Sequence, residues 1–246
     1  MPRYFLQLSF HGKKFHGWQI QENAHSVQAE INRALETLLG SKAETTGCGR
    51  TDTGVHASEF FLHFDAPEIK EHEDFVYHLN CLLPFEIAIQ KIFPVDENAH
   101  ARFDATSRTY RYFIHRSKNP FVNETSYYFP FSVDIEMMNR AAMILMDHTD
   151  FSCFSKSRTQ VKTNICQIYA AGWTIEKEQL IFEIKADRFL RNMVRAIVGT
   201  LLEVGEGHIS LADFTEIIEN RKRSGAGVSV PGHGLFLCKV TYPYIS

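Results

Sequence analysis

Apolar residues occupy every second position from Tyr4 through Leu6 and Leu8 to Phe10, which predicts a strand with one buried face. The period then changes. After Ser26, residues Val27, Ile31, Ala34, Leu35 and Leu38 recur at helical spacing, with Ser26 as the amino-terminal cap and Gly40 as the stop. A strand over 59–64, a short helix over 75–82 ending near Pro84, and a strand over 87–92 complete a first half. In the second half, 108–115 alternates cationic with aromatic or apolar residues, as a strand with one wet face does. An amphipathic helix is expected over 134–146. Strands over 166–175 and 179–184 are joined by the turn Glu176-Lys177-Glu178. A helix over 189–203 follows, with Leu190, Met193, Val194, Ile197, Val198 and Leu201 as its buried stripe, then a helix capped by Ser210 and a last strand over 234–242.

Both halves mix strands and helices as α+β sandwiches do. The order strand, helix, strand, strand, helix, strand resembles a ferredoxin-like unit. The expected architecture is two such halves, 1–100 and 101–246, sharing a mostly antiparallel sheet with a central cleft. No repeat, low-complexity tract or Pro/Gly-rich linker interrupts the chain.

Composition narrows the class without deciding the function. Hydrophobic residues make up 44% and charged residues 22%, an ordinary globular balance. Twenty Phe and nine Tyr are an unusual number; core packing accounts for most of them, and base-stacking platforms are a use for a minority. A net charge of −3 does not advertise a nucleic-acid binder. Basic residues nevertheless cluster: Arg108, Arg111, Arg116 and Lys118; Lys156, Arg158 and Lys162; Arg188, Arg191 and Arg195; Arg221, Lys222 and Arg223. Each run is either a solvated surface or part of a phosphate-tracking groove.

The five cysteines form no CxxC pair, and the spacing of His11, His16, His56 and His63 fits no zinc pattern, so no metal is expected. No apolar run is long enough to span a membrane and the first residues do not read as a signal peptide, which makes a cytoplasmic location the expectation.

The segment richest in chemistry is Gly47-Cys48-Gly49-Arg50-Thr51-Asp52-Thr53-Gly54-Val55-His56-Ala57. Three glycines in eight residues allow close backbone approach around a guanidinium and a carboxylate. Taken alone, Asp52 is either a turn-capping carboxylate or a catalytic one. Asp52-Thr53-Gly54 is also the aspartic-protease tripeptide, but it occurs only once, and the cation at Arg50 opposes the proton sharing that such a dyad needs.

Gly49 to Ala57 resembles the signature loop of the tRNA pseudouridine synthase A family, and further motifs follow in the family's order. They are Phe15-His16-Gly17-Trp18-Gln19-Ile20-Gln21, Ser26-Val27-Gln28, Leu79-Asn80 with Leu83-Pro84, His100-Ala101-Arg102-Phe103, Arg108-Thr109-Tyr110-Arg111-Tyr112, Phe189 to Arg195, and Gly234-Leu235-Phe236-Leu237. Phe236 departs from a common Tyr, and Asp104 from a common Ser.

The resemblance implies the pseudouridine synthase fold and isomerisation of uridine in the anticodon arm of tRNA, at positions 38, 39 and 40 in tRNA numbering, by a homodimer. It implies Asp52 as nucleophile, Arg195 as its ion-pair partner, and Tyr110 stacked on the target uracil with a part in the late proton transfer. Leu235 packs on the uracil's other side, and Arg50 contacts RNA and assists base flipping. Breaking N1–C1′ and rejoining through C5 oxidises nothing and imports no group, so no cofactor is expected. The competing expectation is a non-catalytic RNA-binding module using Tyr110, Tyr112 and Phe113 as a stacking surface.

Overall fold

The computed structural model describes residues 1–156 and 163–245; Arg158 and Lys162 lie outside them. The fold is mixed α/β with mostly antiparallel strands, as the sequence leads one to expect, and divides into two compact units, 1–106 with 237–246, and 107–236. The chain thus crosses between units twice, near 106 and near 236, whereas the sequence reading has one seam at 100. The second crossing falls inside the last strand, which no local sequence signal marks.

The first unit comprises β1 (Arg3–Phe10), α1 (Val27–Leu39), β2 (Thr46–Gly47), β3 (His56–Asp65), α2 (His72–Leu82) and β4 (Ile87–Val95). β1 lies antiparallel between β4 and β3, with Leu6 opposite both Leu62 and Ile92. Short β2 pairs with β3 beyond it, giving the ferredoxin-like order 4-1-3-2. Residues 237–241 of β9 (Leu235–Thr241) also adjoin β3, where the Val240 amide donates to Glu59 Oε1 at 2.7 Å. α1 forms as its pattern requires. Ser26 Oγ accepts the Ala29 amide, Gly40 closes the helix at φ +66°, and Val27, Ile31, Ala34 and Leu35 are buried. Each large side chain so buried contributes about 1.5–3 kcal/mol.

The second unit holds β5 (Ser107–His115), β6 (Tyr127–Tyr128), α3 (Ile135–Ile144), β7 (Ile168–Glu176), β8 (Gln179–Ala186), α4 (Met193–Gly205) and α5 (Leu211–Asn220). β8 lies antiparallel between β5 and β7, with Tyr112 opposite Phe182. α4 is buried on nearly every side. It starts at Met193, not at 189 as periodicity suggests. Asn192 sits in the left-handed region at φ +68°, and the Met193 amide closes a turn on the Leu190 carbonyl. Leu190 is buried all the same, so an apolar stripe read as helix extends through a turn. No helix among the described residues is long and apolar enough to cross a membrane.

Several residues of the basic runs, left by the sequence as solvated surface or phosphate groove, have structural partners. Arg111 pairs with Glu183 directly across the strands at 2.6 Å, Arg108 donates to the Asp187 carbonyl, and Arg221 pairs with Asp150. Opposite charges facing each other across a sheet contribute some tenths of a kcal/mol.

Far along β3 from the Gly-rich loop, His63 is buried, its Nδ1 accepting the Ala101 amide at 3.1 Å. Burial, then the charge of His100, then that of Arg3 push its pKa down to about 4. The unfolded chain therefore binds a proton that the folded one refuses between about pH 6.5 and 4, and stability falls as pH falls through that window. The expected loss from this group is roughly 2 kcal/mol between pH 7.5 and 5. Urea melts across this range should show it, and His63→Asn, which keeps a short-armed acceptor but cannot titrate, should flatten the dependence. An equally steep slope in the variant would assign the effect elsewhere.

Candidate active site

Asp52 sits at the head of a tight turn between β2 and β3. The Val55 amide returns to the Asp52 carbonyl at 3.1 Å, and Gly54 takes φ +77°, which few side chains tolerate. The Asp52 side chain is half-buried, while Arg50 is exposed. Thr51 between them is buried, and its hydroxyl finds no hydrogen-bond partner among the described residues. The turn therefore carries a half-buried carboxylate on a backbone whose neighbouring Thr51 and Val55 are buried.

That backbone is braced by the loop after β1. The Trp18 amide donates to the Thr51 carbonyl at 3.3 Å, and the Gly54 amide to the Phe15 carbonyl at 3.3 Å. Two glycines let the segments approach. A Cβ on Gly12 would lie 2.0 Å from the Val55 oxygen, and one on Gly17 would lie 2.3 Å from the Thr51 oxygen. Gly17 also needs its φ of +95°. Trp18 is buried and stacks on Phe60 at 4.2 Å, its ring filling the space that a side chain at Gly47 would take. His56 completes the brace: its ring is fully buried, and Nδ1 accepts the Gly12 amide at 3.0 Å.

The remaining predicted residues belong to the second unit. Tyr110 is on β5, half-buried, with its ring edge-on to Phe189 at 5.1 Å. Arg195 is in the first turn of α4, half-buried, and its Nε donates to the Val230 carbonyl at 2.7 Å. Leu235 is buried at the start of β9.

Tyr112 ties these elements together. It is fully buried, its hydroxyl donates to the Pro231 carbonyl at 2.9 Å, and Gly234 lies so close that an added Cβ would meet its ring at 2.7 Å. Burial, and next the charge of Tyr127, hold its phenol well above the usual tyrosine range, so it serves as a neutral donor. Tyr110 lies two residues away on the same strand face. The segment feeding Val230 is strapped to α4. Gly199 meets the Val228 carbonyl, the Gly227 amide donates to Thr200 Oγ1 at 2.9 Å, Asn192 donates to Ser229 Oγ, and Arg223 donates to the Ala226 and Gly227 carbonyls and to Ser229 Oγ. Arg223, read from sequence as surface or groove, is a structural clasp.

The stacking surface of Tyr110, Tyr112 and Phe113 therefore does not exist as such. Tyr112 is sealed inside, and Phe113 packs edge-on against Phe236 at 5.2 Å. The structure places Arg50 two residues before Asp52 at the head of its turn, and Tyr110, Arg195 and Leu235 in the other unit, on β5, α4 and β9. Sequence reasoning left Gly12 unassigned, offered Tyr112 only as a stacking aromatic, and considered His56 only to set it aside as a metal ligand; Tyr112 and His56 lie inside the motifs, but nothing local says what each one touches.

Comparison with known proteins adds the remaining information. A sequence model described as tRNA pseudouridine synthase matches residues 141–243. The chain is 53% identical over 244 residues to tRNA pseudouridine synthase A of Parabacteroides distasonis, covering 99% of this chain and 97% of that one. It belongs to the tRNA pseudouridine synthase A family. The Bacteroides fragilis member is 51% identical over 99% of this chain and 97% of its own length, and that of Bacillus subtilis 38% over 96% and 97%. Because these matches run nearly end to end, both the Asp52 turn and the α4 strap fall inside the similarity. The family assignment therefore covers each unit.

Proposed function

We propose that this protein isomerises uridine to pseudouridine in tRNA, acting on the anticodon arm at positions 38, 39 and 40, with Asp52 as the nucleophile. The observation that carries the reading is the Asp52 turn, a half-buried carboxylate on a backbone clamped from both sides, in a chain similar to these synthases from end to end. A carboxylate that serves only to satisfy its own turn does not need a neighbouring loop pressed to within a glycine's thickness of it.

The reaction cleaves N1–C1′, turns the uracil, joins C5 to C1′ and releases the C5 proton to water while N1 takes one up. Asp52 acts on the base or the sugar. Arg195 pairs with the nucleophile, and Tyr110 stacks on the uracil and takes part in the late proton transfer. Leu235 supplies an apolar contact on the other side. The target nucleotide has to leave its stack first, because C1′ and C5 are inaccessible within a stem. The enzyme acts as a cytoplasmic homodimer, which lets basic strips from two copies lie along one tRNA.

The test uses unmodified tRNA tritiated at uracil C5, incubated with the protein and no additive, with tritium in water as the readout. Release from positions 38 to 40 establishes the activity. Tight binding without release from any anticodon-arm uridine would leave a non-catalytic RNA-binding module as the better description.

Arg50 gives a second, milder test. As an exposed cation meeting a phosphate, its replacement in Arg50→Ala should lower the slope of log Kd against log salt by about 1. Titrations between 50 and 200 mM salt measure this. An unchanged slope would mean that Arg50 does not bind the backbone.

A further inference from the structure

We propose that His56 is a positioning residue for the reaction: its ring latches the loop after β1 onto the turn that carries Asp52. The inference rests on the synthase reading above and extends it to a residue outside the proposed catalytic set.

Three observations support it. First, His56 lies four residues beyond Asp52, at the point where the turn enters β3, and its side chain is fully buried. Second, its Nδ1 accepts the Gly12 amide at 3.0 Å, so this nitrogen carries no proton and the ring works as an acceptor. Third, the bond falls where the two backbones are closest, since the Val55 carbonyl next to His56 occupies the place of a Gly12 Cβ. Two backbone links of the brace, Trp18 to Thr51 and Gly54 to Phe15, are both at 3.3 Å, longer than the His56 bond. Of these three bonds the shortest is the one made by a side chain, and it is the one a substitution can break.

The consequence is mechanical. Without the acceptor, the buried Gly12 amide has lost its partner, and the loop moves or admits water to satisfy it. Thr51 and Gly54, which flank Asp52, hang from the same loop and move with it. A displacement of the nucleophile by about 1 Å costs about a hundredfold in the chemical step and leaves distant RNA contacts alone.

Histidine also fits sterically. Nδ1 is close to the main chain, and an asparagine amide oxygen reaches nearly the same point. Glutamine carries its amide one bond further, toward the place of Nε2. His56→Asn and His56→Gln are thus two polar variants that differ in where the acceptor sits.

Both variants and the parent chain should be assayed for tritium release with kcat and KM separated, alongside thermal melts and tRNA binding. Asp52→Ala serves as the blank. The expected result is a fall in kcat of about ten- to a hundredfold for His56→Gln, with KM and tRNA Kd within threefold, and recovery of most of the loss in His56→Asn. Equal kcat in the two variants, whether high or low, would overturn the latch. So would a His56→Gln defect confined to KM. If the parent chain itself releases no tritium, the synthase reading fails, whatever the histidine variants do. A His56→Gln chain that melts early but keeps kcat below its melting point would show that the histidine serves stability alone, which also overturns the proposal.

Discussion

Asp52→Ala and Asp52→Asn are each expected to abolish tritium release from C5-labelled tRNA, by about 10⁴-fold or more, while tRNA Kd changes by less than about threefold. Under the proposed mechanism the reaction has no other route without the Asp52 carboxylate, because an amide of the same shape neither adds to the base nor takes a proton from the sugar. Binding should persist because the carboxylate contributes no attraction to phosphate; its removal lessens repulsion. The turn should persist as well. It is closed by the Asp52 backbone carbonyl accepting from Val55, and both variants retain that bond. The Asn variant is the sharper test, since it holds the shape and changes only the charge and the nucleophilicity. Release that continues in both variants would keep the reaction and sink the assignment of its nucleophile. Loss of binding and of folding together would make Asp52 a structural residue.

The second large effect is expected at a glycine outside the signature motif. Gly12→Ala would place a methyl group 2.0 Å from the Val55 carbonyl oxygen, where neither partner is the flexible end of a side chain. One backbone has to shift, and both belong to the brace under Asp52. Destabilisation of roughly 3 kcal/mol is expected, together with loss of most turnover in the fraction that remains folded. Gly49→Ala is the matched control. It alters a glycine of the signature loop itself, but no heavy atom lies within 4 Å of its added methyl group, so it should fall within roughly 1 kcal/mol of the parent chain. Urea melts measure both. If Gly49→Ala proved the more damaging, the close approach at Gly12 would not be what holds the turn.

The contrast between these glycines shows why a motif is only a partial guide. Gly47, Gly49 and Gly54 look alike in sequence as one flexible, Gly-rich loop. In the folded chain, Gly47 makes room for the Trp18 ring, Gly54 supplies a positive φ, and Gly49 meets nothing. Gly12 has a stricter requirement than any of the three, and its neighbours give no hint of it, because Val55 comes forty-three residues later.

What the sequence determined by itself follows from short-range physics. Period-two and period-3.6 patterns placed β1, α1, α3, β8 and α5 to within a few residues, and Ser26, Gly40 and Ser210 act as the caps they resemble. The family was legible too, because its motifs recur in order along the chain and the relatives match nearly end to end.

Tertiary structure alone decided the rest. It started α4 at Met193, where Asn192 adopts a conformation that apolar periodicity does not register. It buried Tyr112, which the strand pattern left free to stack on a base, and made Arg223, which the sequence leaves as solvated surface or groove, a clasp on carbonyl oxygens. It joined His56 to Gly12. Each of these depends on which atoms meet across tens of residues. A carbonyl or a ring nitrogen has the same local sequence whether its partner is water, a ligand or a distant amide, and only the fold determines which.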